Sequence, residues 1–288
     1  MIEIDADWCA AHPLPGLTGE ASKTSRRLLV IGGSRRVPGA IRLTGEAALR
    51  VGAGRVRIAT LDTAATLIGV AFPESGVVGL PEADGEIANK AAGIVAEQVA
   101  IHHAIVLGPG MGDKDAAAHL VRALADQPNE EAVLVLDAAA VACAGPLQDS
   151  LKGWAGRLIL TPHHGEMAAL AGCEVEDVDR DCETIARDTA ARFGAVVALK
   201  GVETWVAAPD GRVLHYPGGG RGLGVAGSGD VLAGVIGGLL SRGVDPLAAT
   251  GWGVWLHGQA GRTLADKVAP LGFLSRELLP ELPALLPH

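Results

Sequence analysis

The segment Gly227-Ser228-Gly229-Asp230 carries the residues that are best arranged for chemistry. Glycines and a serine directly before a helix expose backbone N–H groups, and the helix N-terminus adds partial positive charge, so Gly227, Ser228 and Gly229 could form an anion hole. Asp230 would lie in the first helical turn, where the dipole is expected to lower its pKa and keep it ionised at neutral pH. It could then accept a proton from a substrate hydroxyl that attacks phosphorus, or it could only complement the dipole.

Four other polar residues lie at or just beyond the ends of predicted strands. Asp137 is placed for a carboxylate that organises Mg²⁺, with a helix N-cap as the alternative. Lys200 ends a buried run, where it could contact phosphate or a nucleotide. His163 is either structural or part of a site. Glu166 could be an acid at the start of a helix or an outer-shell metal ligand.

A second glycine-rich loop spans residues 108–112 and reads Gly-Pro-Gly-Met-Gly. It lacks the spacing of a dinucleotide fingerprint, and residues 227–230 lack the lysine of a P-loop, so neither pattern is met. An ordinary tight turn is the alternative interpretation of the loop.

The elements that must position these residues follow a βαβ pattern. Short apolar runs without polar alternation predict strands that are buried on both faces of a parallel sheet, at 28–31, 56–58, 104–107, 133–136, 158–160 and 196–199. Helical spacing predicts helices at 39–51, 86–99, 113–125, 164–171, 176–193, 228–241, 246–266 and 275–285. The glycine-rich loops follow strands, and ligands of such sheets bind at the carboxyl ends of the strands.

One segment interrupts this pattern. Residues 204–208 and 212–216 are extended runs joined by Pro-Asp-Gly, which predicts an antiparallel hairpin at one edge of the sheet. In the following helices, Trp252 and Trp255 have helical spacing and are expected in the core or at an interface. We expect an irregular lead-in over residues 1–25 and one domain over 26–288.

Composition excludes several classes of protein. Of 288 residues, 40 are glycine and 49% are hydrophobic, which supports a large core rather than disorder. The net charge of −9 argues against nucleic acid or an anionic membrane as partner. No apolar run is long enough to span a bilayer, and the acidic start predicts no export signal. Four cysteines without metal-type spacing predict reduced, cytoplasmic thiols.

These motifs, taken together, resemble those of the ADP-dependent NAD(P)H-hydrate dehydratases, a carbohydrate-kinase-like family of the ribokinase-like superfamily. Seven segments match in order: Gly32-Gly33-Ser34, Pro38-Gly39-Ala40 with 47–54, 108–112, Leu136-Asp137-Ala138, 160–166, Leu199-Lys200-Gly201 with Thr204, and 227–234. The resemblance implies a ribokinase-like three-layer sandwich, with a mostly parallel central sheet covered by helices and an antiparallel edge hairpin.

The resemblance also implies an activity. Such an enzyme phosphorylates the C6 hydroxyl of hydrated NADH or NADPH and eliminates phosphate, restoring NAD(P)H and releasing AMP and phosphate when ADP is the donor. Asp230 would be the catalytic base, and Mg²⁺ the cofactor. The residues implied to bind the hydrated dinucleotide are Ala40, Gly110, Gly112, His163 and Asp230, and those implied to bind ADP or AMP are Lys200, Gly201, Val202, Glu203, Thr204 and Gly229. A homotetramer is implied as well.

Three positions depart from the family pattern. Ala139 stands where a second aspartate is usual, Gly220-Arg221 where Asn-Pro is usual, and Val225 where threonine is usual. These changes lie on the nucleotide and metal side, so ADP and ATP both stay open as donors. A small-molecule kinase for a vitamin precursor and a non-catalytic nucleotide-binding relative are the alternatives. No epimerase domain is expected, so only dehydration is implied.

Overall fold

A mixed sheet with helices on both faces organises the chain. The structure, a computed structural model, describes residues 1–16, 26–126 and 129–287. Its strands are β1 (Ile2–Glu3), β2 (Arg27–Ile31), β3 (Arg55–Leu61), β4 (Gly76–Leu80), β5 (Glu82–Ala83), β6 (Glu86–Ile87), β7 (Ala104–Leu107), β8 (Val133–Leu136), β9 (Leu158–Leu160), β10 (Val196–Lys200), β11 (Thr204–Ala207) and β12 (Val213–Tyr216).

The helices alternate with the strands in the first two thirds of the chain. They are α1 (Ala6–Ala11), α2 (Ala40–Arg50), α3 (Asp62–Ala71), α4 (Ala92–Val99), α5 (Lys114–Ala125), α6 (Ala139–Ala142), α7 (His164–Ala171), α8 (Val175–Arg180), α9 (Cys182–Phe193), α10 (Ser228–Ser241), α11 (Pro246–Lys267) and α12 (Ser275–Leu278). Short 3₁₀ segments cover Asn89–Ala91, Gly145–Leu147, Ser150–Trp154, Arg221–Leu223 and Leu279–Leu285. No helix of the described residues is long and apolar enough to cross a bilayer.

The large sheet has the strand order β1-β12-β11-β10-β9-β8-β7-β2-β3-β4. Within the described residues, β11 is antiparallel to both its neighbours, and all other pairs in this sheet are parallel. The side chains of β2 are fully buried from Leu28 to Ile31 and alternate between two cores. One core lies under α2, α10 and α11, the other under α4, α5, α7 and α9. The predicted α/β class and doubly covered sheet are confirmed.

The predicted hairpin is present as β11 and β12, joined by a turn in which Gly211 donates to the carbonyl of Ala208. One further short strand extends the sheet beyond this hairpin, since β1 pairs in parallel with β12. The irregular lead-in expected for residues 1–25 is therefore wrong for its first part, where β1 and α1 are regular. The Trp8 side chain of α1 is buried, so this segment packs on the rest of the fold. Residues 17–25 of the expected lead-in lie outside the described residues.

Other differences have local physical causes. The expected helix at 86–99 begins as β6, forms a 3₁₀ turn over Asn89–Ala91 and becomes α-helical only from Ala92. The expected helix at 176–193 is two helices, because the Asp181 side chain accepts from the N–H of Thr184 and starts α9 anew. The last predicted helix turns 3₁₀ after Leu278, where Pro280 and Pro283 prevent α-helical hydrogen bonds. The sequence pattern does not predict α3 and β4.

Candidate active site

Three neighbouring strands end in side chains that bind one another. Asp137 follows β8, Thr161 follows β9, and Lys200 ends β10. The Lys200 Nζ lies 2.8 Å from Asp137 Oδ1, and the Thr161 hydroxyl donates to the same oxygen at 2.7 Å. Asp137 is buried and does not cap α6, whose N-cap is Ala138, so the N-cap alternative is wrong. A buried carboxylate at the carboxyl edge is thus held by a cation and a hydroxyl.

Charges at this edge alter each other's protonation. Burial alone would lower the pKa of the Lys200 ammonium, but the carboxylates of Asp137 and Glu166 outweigh burial and raise that pKa. Burial raises the pKa of Glu166, an effect that the charge of Lys200 opposes. Lys200 is therefore protonated and positively charged among these carboxyl groups.

His163 and Glu166 form the start of α7. The His163 Nδ1 accepts from the N–H of Glu166 at 3.2 Å, and the Glu166 Oε2 accepts from the N–H of His163 at 2.8 Å. This reciprocal pair is a capping box, so Glu166 is the acid at the start of a helix. The His163 side chain is 62% exposed, which leaves its ring open to a ligand. A backbone bridge pairs His163 with Lys200.

The position of Asp230 agrees with the expectation, but its pKa does not. It lies in the first turn of α10 as predicted. Burial and the charge of Asp137 raise the pKa of its carboxyl to about 7, with Lys200 opposing the shift. The expectation that the helix dipole lowers the pKa of this carboxyl is wrong, because desolvation and the like charge of Asp137 raise that pKa instead. A carboxyl with a pKa near the working pH is well matched to general-base catalysis.

The loop before Asp230 presents backbone N–H groups beside Lys200. A methyl group added at Gly229 would lie 3.5 Å from Lys200 Nζ, so the cation is adjacent to the first turn of α10. In the part of the chain that the structure describes, the N–H groups of Gly229 and Asp230 have no hydrogen-bond partner. The N–H of Ser228 instead donates to the carbonyl of Val225 at 3.2 Å.

The loop after β7, which the resemblance implies contacts a dinucleotide, packs against the start of α2. A methyl group added at Gly110 would lie 2.9 Å from the Cβ of Ala40, so these two residues are neighbours. The Gly112 N–H donates to the carboxylate of Glu86, at 3.2 and 3.4 Å from its two oxygens. Gly108 has a φ of +124°, and a methyl group there would lie 1.9 Å from the Asp137 carbonyl oxygen. The loop 108–112 therefore contacts both Ala40 and Asp137.

Residues 200–204, which the resemblance implies bind an adenine nucleotide, form the turn between β10 and β11. Gly201 packs against the ring of His164, and Thr204 pairs with Lys200 across the two strands. The Val202 side chain is 89% exposed at the tip of this turn. The Glu203 carboxylate lies 2.8 Å from Nε2 of His215 on β12.

Three carboxyl groups at this edge bear on metal binding. Asp137, Glu166 and Asp230 are close enough for Asp137 to raise the pKa of both other groups. Among the described residues, no three His, Cys, Asp or Glu side chains converge on one point as metal ligands would. All-oxygen donors without a closed cage suit Mg²⁺, which keeps several waters and binds largely through substrate phosphates.

The sequence motifs do not indicate two residues that contact the site. The Thr161 hydroxyl donates to Asp137. His257 of α11 lies 2.9 Å from the Ser228 hydroxyl through its Nε2 atom. His257 lies 29 residues from Ser228 on another helix. The sequence feature that could have pointed to His257 is a histidine directly followed by glycine inside a predicted helix.

Comparison with known proteins gives this geometry a family. The family model described as NAD(P)H-hydrate dehydratase matches residues 28–284. The chain belongs to the NAD(P)H-hydrate dehydratase family. It is 44% identical to an ADP-dependent (S)-NAD(P)H-hydrate dehydratase from Xanthomonas campestris pv. campestris, over 96% of this chain and 93% of that protein.

Solved structures agree with this family. An ADP/ATP-dependent NAD(P)H-hydrate dehydratase from Bacillus subtilis, co-crystallised with ATP and Mg²⁺, is 28% identical with a TM-score of 0.79 and covers 98% of this chain and 96% of that chain. A ribokinase-like superfamily protein from Enterococcus faecalis, 24% identical with a TM-score of 0.79 over 94% of this chain and 90% of that chain, supports the ribokinase-like fold. The chain spans about half the length of the bifunctional NAD(P)H-hydrate repair enzymes that it matches, 53% for that of Moorella thermoacetica.

Proposed function

We propose that this chain is a lyase that restores NADH and NADPH from their C6 hydrates, with ADP or ATP as phosphoryl donor. The proposal rests on family membership and on one observation. The carboxyl of Asp230, whose pKa is raised, lies at the start of α10 beside Lys200. A phosphoryl group held there would lie near free N–H groups, a cation and a proton acceptor.

In the first step, the C6 hydroxyl of the hydrate attacks the terminal phosphorus of the donor. Asp230 accepts the hydroxyl proton as the new P–O bond forms and the bond to the leaving AMP or ADP breaks. The N–H groups of Gly229 and Asp230 stabilise the charge that develops on the phosphoryl oxygens, since they are free and form the positive end of the α10 dipole.

In the second step, the C6–O bond breaks and phosphate leaves with the bonding electron pair. The ring nitrogen supplies electrons, and loss of a proton from C5 restores the reduced ring. ADP therefore ends as AMP and phosphate, and ATP ends as ADP and phosphate. Phosphorylation matters because phosphate leaves far more readily than hydroxide.

The remaining predicted residues divide between the two ligands. Ala40, Gly110, Gly112 and His163 would contact the hydrated dinucleotide, and residues 200–204 with Gly229 would contact the adenine nucleotide. Asp137 and Glu166 would hold Mg²⁺ through water. A bound Mg²⁺ would neutralise phosphate charge during transfer.

Two broader properties belong to the same proposal. We expect the enzyme to act in the cytoplasm, where its four unpaired cysteines would stay reduced. We also expect a homotetramer. The structure uses Trp252 within the chain, since its Nε1–H donates to the His12 carbonyl at 2.6 Å, while Trp255 is only partly buried.

The test of the proposed function is a recovery assay. The C6 hydrate of NADH is incubated with the protein, Mg²⁺ and either ADP or ATP, and the near-ultraviolet absorbance of the reduced nicotinamide ring is followed. We expect recovery with at least one nucleotide and none without nucleotide. Absence of recovery with both would reject the dehydratase, and accumulation of a stable phosphorylated product would instead indicate a small-molecule kinase.

A further inference from the structure

The hydroxyl of Ser228 occupies a special position among the donors at the start of α10. Its own N–H is bonded to the carbonyl of Val225 and cannot also serve a bound anion well. The only remaining donor of Ser228 is its hydroxyl proton. That hydroxyl lies 2.9 Å from the Nε2 atom of His257. The protonation of one ring nitrogen therefore decides whether Ser228 can donate to an anion.

His257 is held where it can control this proton. It lies in the middle of the 22-residue helix α11 and is 8% exposed. Burial lowers its pKa to about 4, with a hydrogen bond to the Ser228 backbone opposing the shift and the charge of Lys200 adding to it, so the ring is neutral at physiological pH. A neutral imidazole carries one N–H, either on Nε2 or on Nδ1.

The two tautomers have opposite consequences for Ser228. If Nε2 is unprotonated, it accepts the hydroxyl proton, and Ser228 offers nothing to an anion. If Nε2 carries the proton, it donates to the Ser228 oxygen and leaves the hydroxyl proton free. Only the second arrangement leaves Ser228 with a hydroxyl proton that it can donate to an anion bound at the start of α10.

The rest of α11 supports the same loop. One turn beyond His257, the Arg262 guanidinium donates to the carbonyl of Gly218 at 2.7 and 3.2 Å and lies over the ring of Tyr216. The chain from Tyr216 to Ser228 is thus fastened to α11 at both ends. Since α11 is long and mostly buried, it is a rigid support for the Ser228 hydroxyl.

We propose that His257 is a positioning residue that donates its Nε2–H to the Ser228 hydroxyl and so directs the hydroxyl proton toward the transferring phosphoryl group. The inference rests on the proposed function for the anion at this position. Ser228 then acts on the substrate directly, and His257 acts only through Ser228.

Four variants test this coupling. Ser228→Ala keeps the backbone N–H groups and removes the hydroxyl, and His257→Leu removes the ring donor at similar volume. Each is expected to lower kcat about 100-fold with KM within about threefold, the scale of one lost transition-state donor. The double variant is expected to lose no more than either single variant. His257→Gln, whose amide can replace Nε2–H, is expected to recover at least about tenfold over His257→Leu.

Two kinetic results would overturn the proposal. Full kcat in His257→Leu would show that the ring does not matter, and losses that multiply in the double variant would show that His257 acts independently of Ser228. Circular dichroism and thermal unfolding of each variant separate misfolding from loss of positioning.

A spectroscopic measurement judges the tautomer without turnover. The ¹⁵N resonances of histidine-labelled wild-type protein are recorded, and the signals absent from His257→Gln are assigned to His257. We expect a protonated Nε2 and an unprotonated Nδ1. The reverse tautomer would overturn the proposal even if the protein is an active dehydratase. Failure of the recovery assay alone would reject the proposed function but would not contradict the proposed hydrogen bond from His257 to Ser228.

Discussion

Asp230 shows how burial and charge compete at a single residue. The start of a helix favours a negative side chain by about 0.3–1 kcal/mol at an exposed position. Here burial, and the carboxylate of Asp137, act against ionisation and prevail over Lys200. The resulting pKa of about 7 leaves the carboxyl able to take up a proton during the reaction and to release it afterwards.

The substitution Asp230→Asn separates activity from stability. We expect kcat to fall at least about 100-fold, because the proton acceptor is lost. We also expect higher thermal stability above pH 7. The folded pKa lies above the reference value of 3.8, so the folded state binds the extra proton and wild-type stability falls as pH rises from about 4 to 7. The variant lacks this loss.

Thermal unfolding of both proteins at pH 5 and pH 8 measures this effect. The difference between variant and wild type should be larger at pH 8. Equal differences at the two pH values would show that the Asp230 carboxyl is not shifted, and activity within a few-fold of wild type would reject its role as base.

Among elements, the carboxyl ends of β8 and β10 are joined by the pair of Asp137 and Lys200. The Asp137 side chain is 3% exposed and that of Lys200 is 20% exposed. Removing one partner of such a pair leaves an uncompensated charge, which costs about 3–5 kcal/mol, whereas replacing both by apolar groups is often neutral.

Lys200→Met is accordingly expected to lower the free energy of unfolding by about 3–5 kcal/mol. The matched control is the double variant Asp137→Leu with Lys200→Met, which should recover much of that loss. Urea unfolding measures both. A loss below about 1 kcal/mol in the single variant would indicate an ordinary exposed ion pair instead.

Elements with a strong local signal were predictable from sequence, and others were not. Strands β2 and β7 are continuous apolar runs, and helix α10 follows a glycine-rich loop, so the sequence predicted all three elements. In contrast, β4 contains two glycines and lies at the sheet edge, where packing on one neighbour decides its structure. The contact between Ser228 and His257 depends on how α10 and α11 pack, which local sequence does not encode.

For the whole molecule, the N-terminal segment is part of the packed structure. The ring of Trp8 lies against the backbone of α11, since a methyl group added at Gly251 would be 2.4 Å from it. The His12 carbonyl accepts from the indole of Trp252. Composition could not predict this, because the segment has no periodic pattern and its partners are about 240 residues away.

Trp8→Ala is therefore expected to lower the free energy of unfolding by about 3–5 kcal/mol, the cost of removing a buried tryptophan side chain. Leu67→Ala is the control, because the Leu67 side chain is 71% exposed and its removal should change stability by less than about 0.5 kcal/mol. Equal effects of the two substitutions in urea unfolding would show that the N-terminal segment does not pack on the fold.

The most direct test of the whole account follows the oxygen of the C6 hydroxyl. NADH hydrate labelled at this position with oxygen-18 is incubated with the enzyme, Mg²⁺ and ADP, and the released phosphate is examined by mass spectrometry. Phosphorylation by transfer to this hydroxyl, followed by C6–O cleavage, predicts that the label appears in inorganic phosphate. Label found in water, with unlabelled phosphate, would contradict the account.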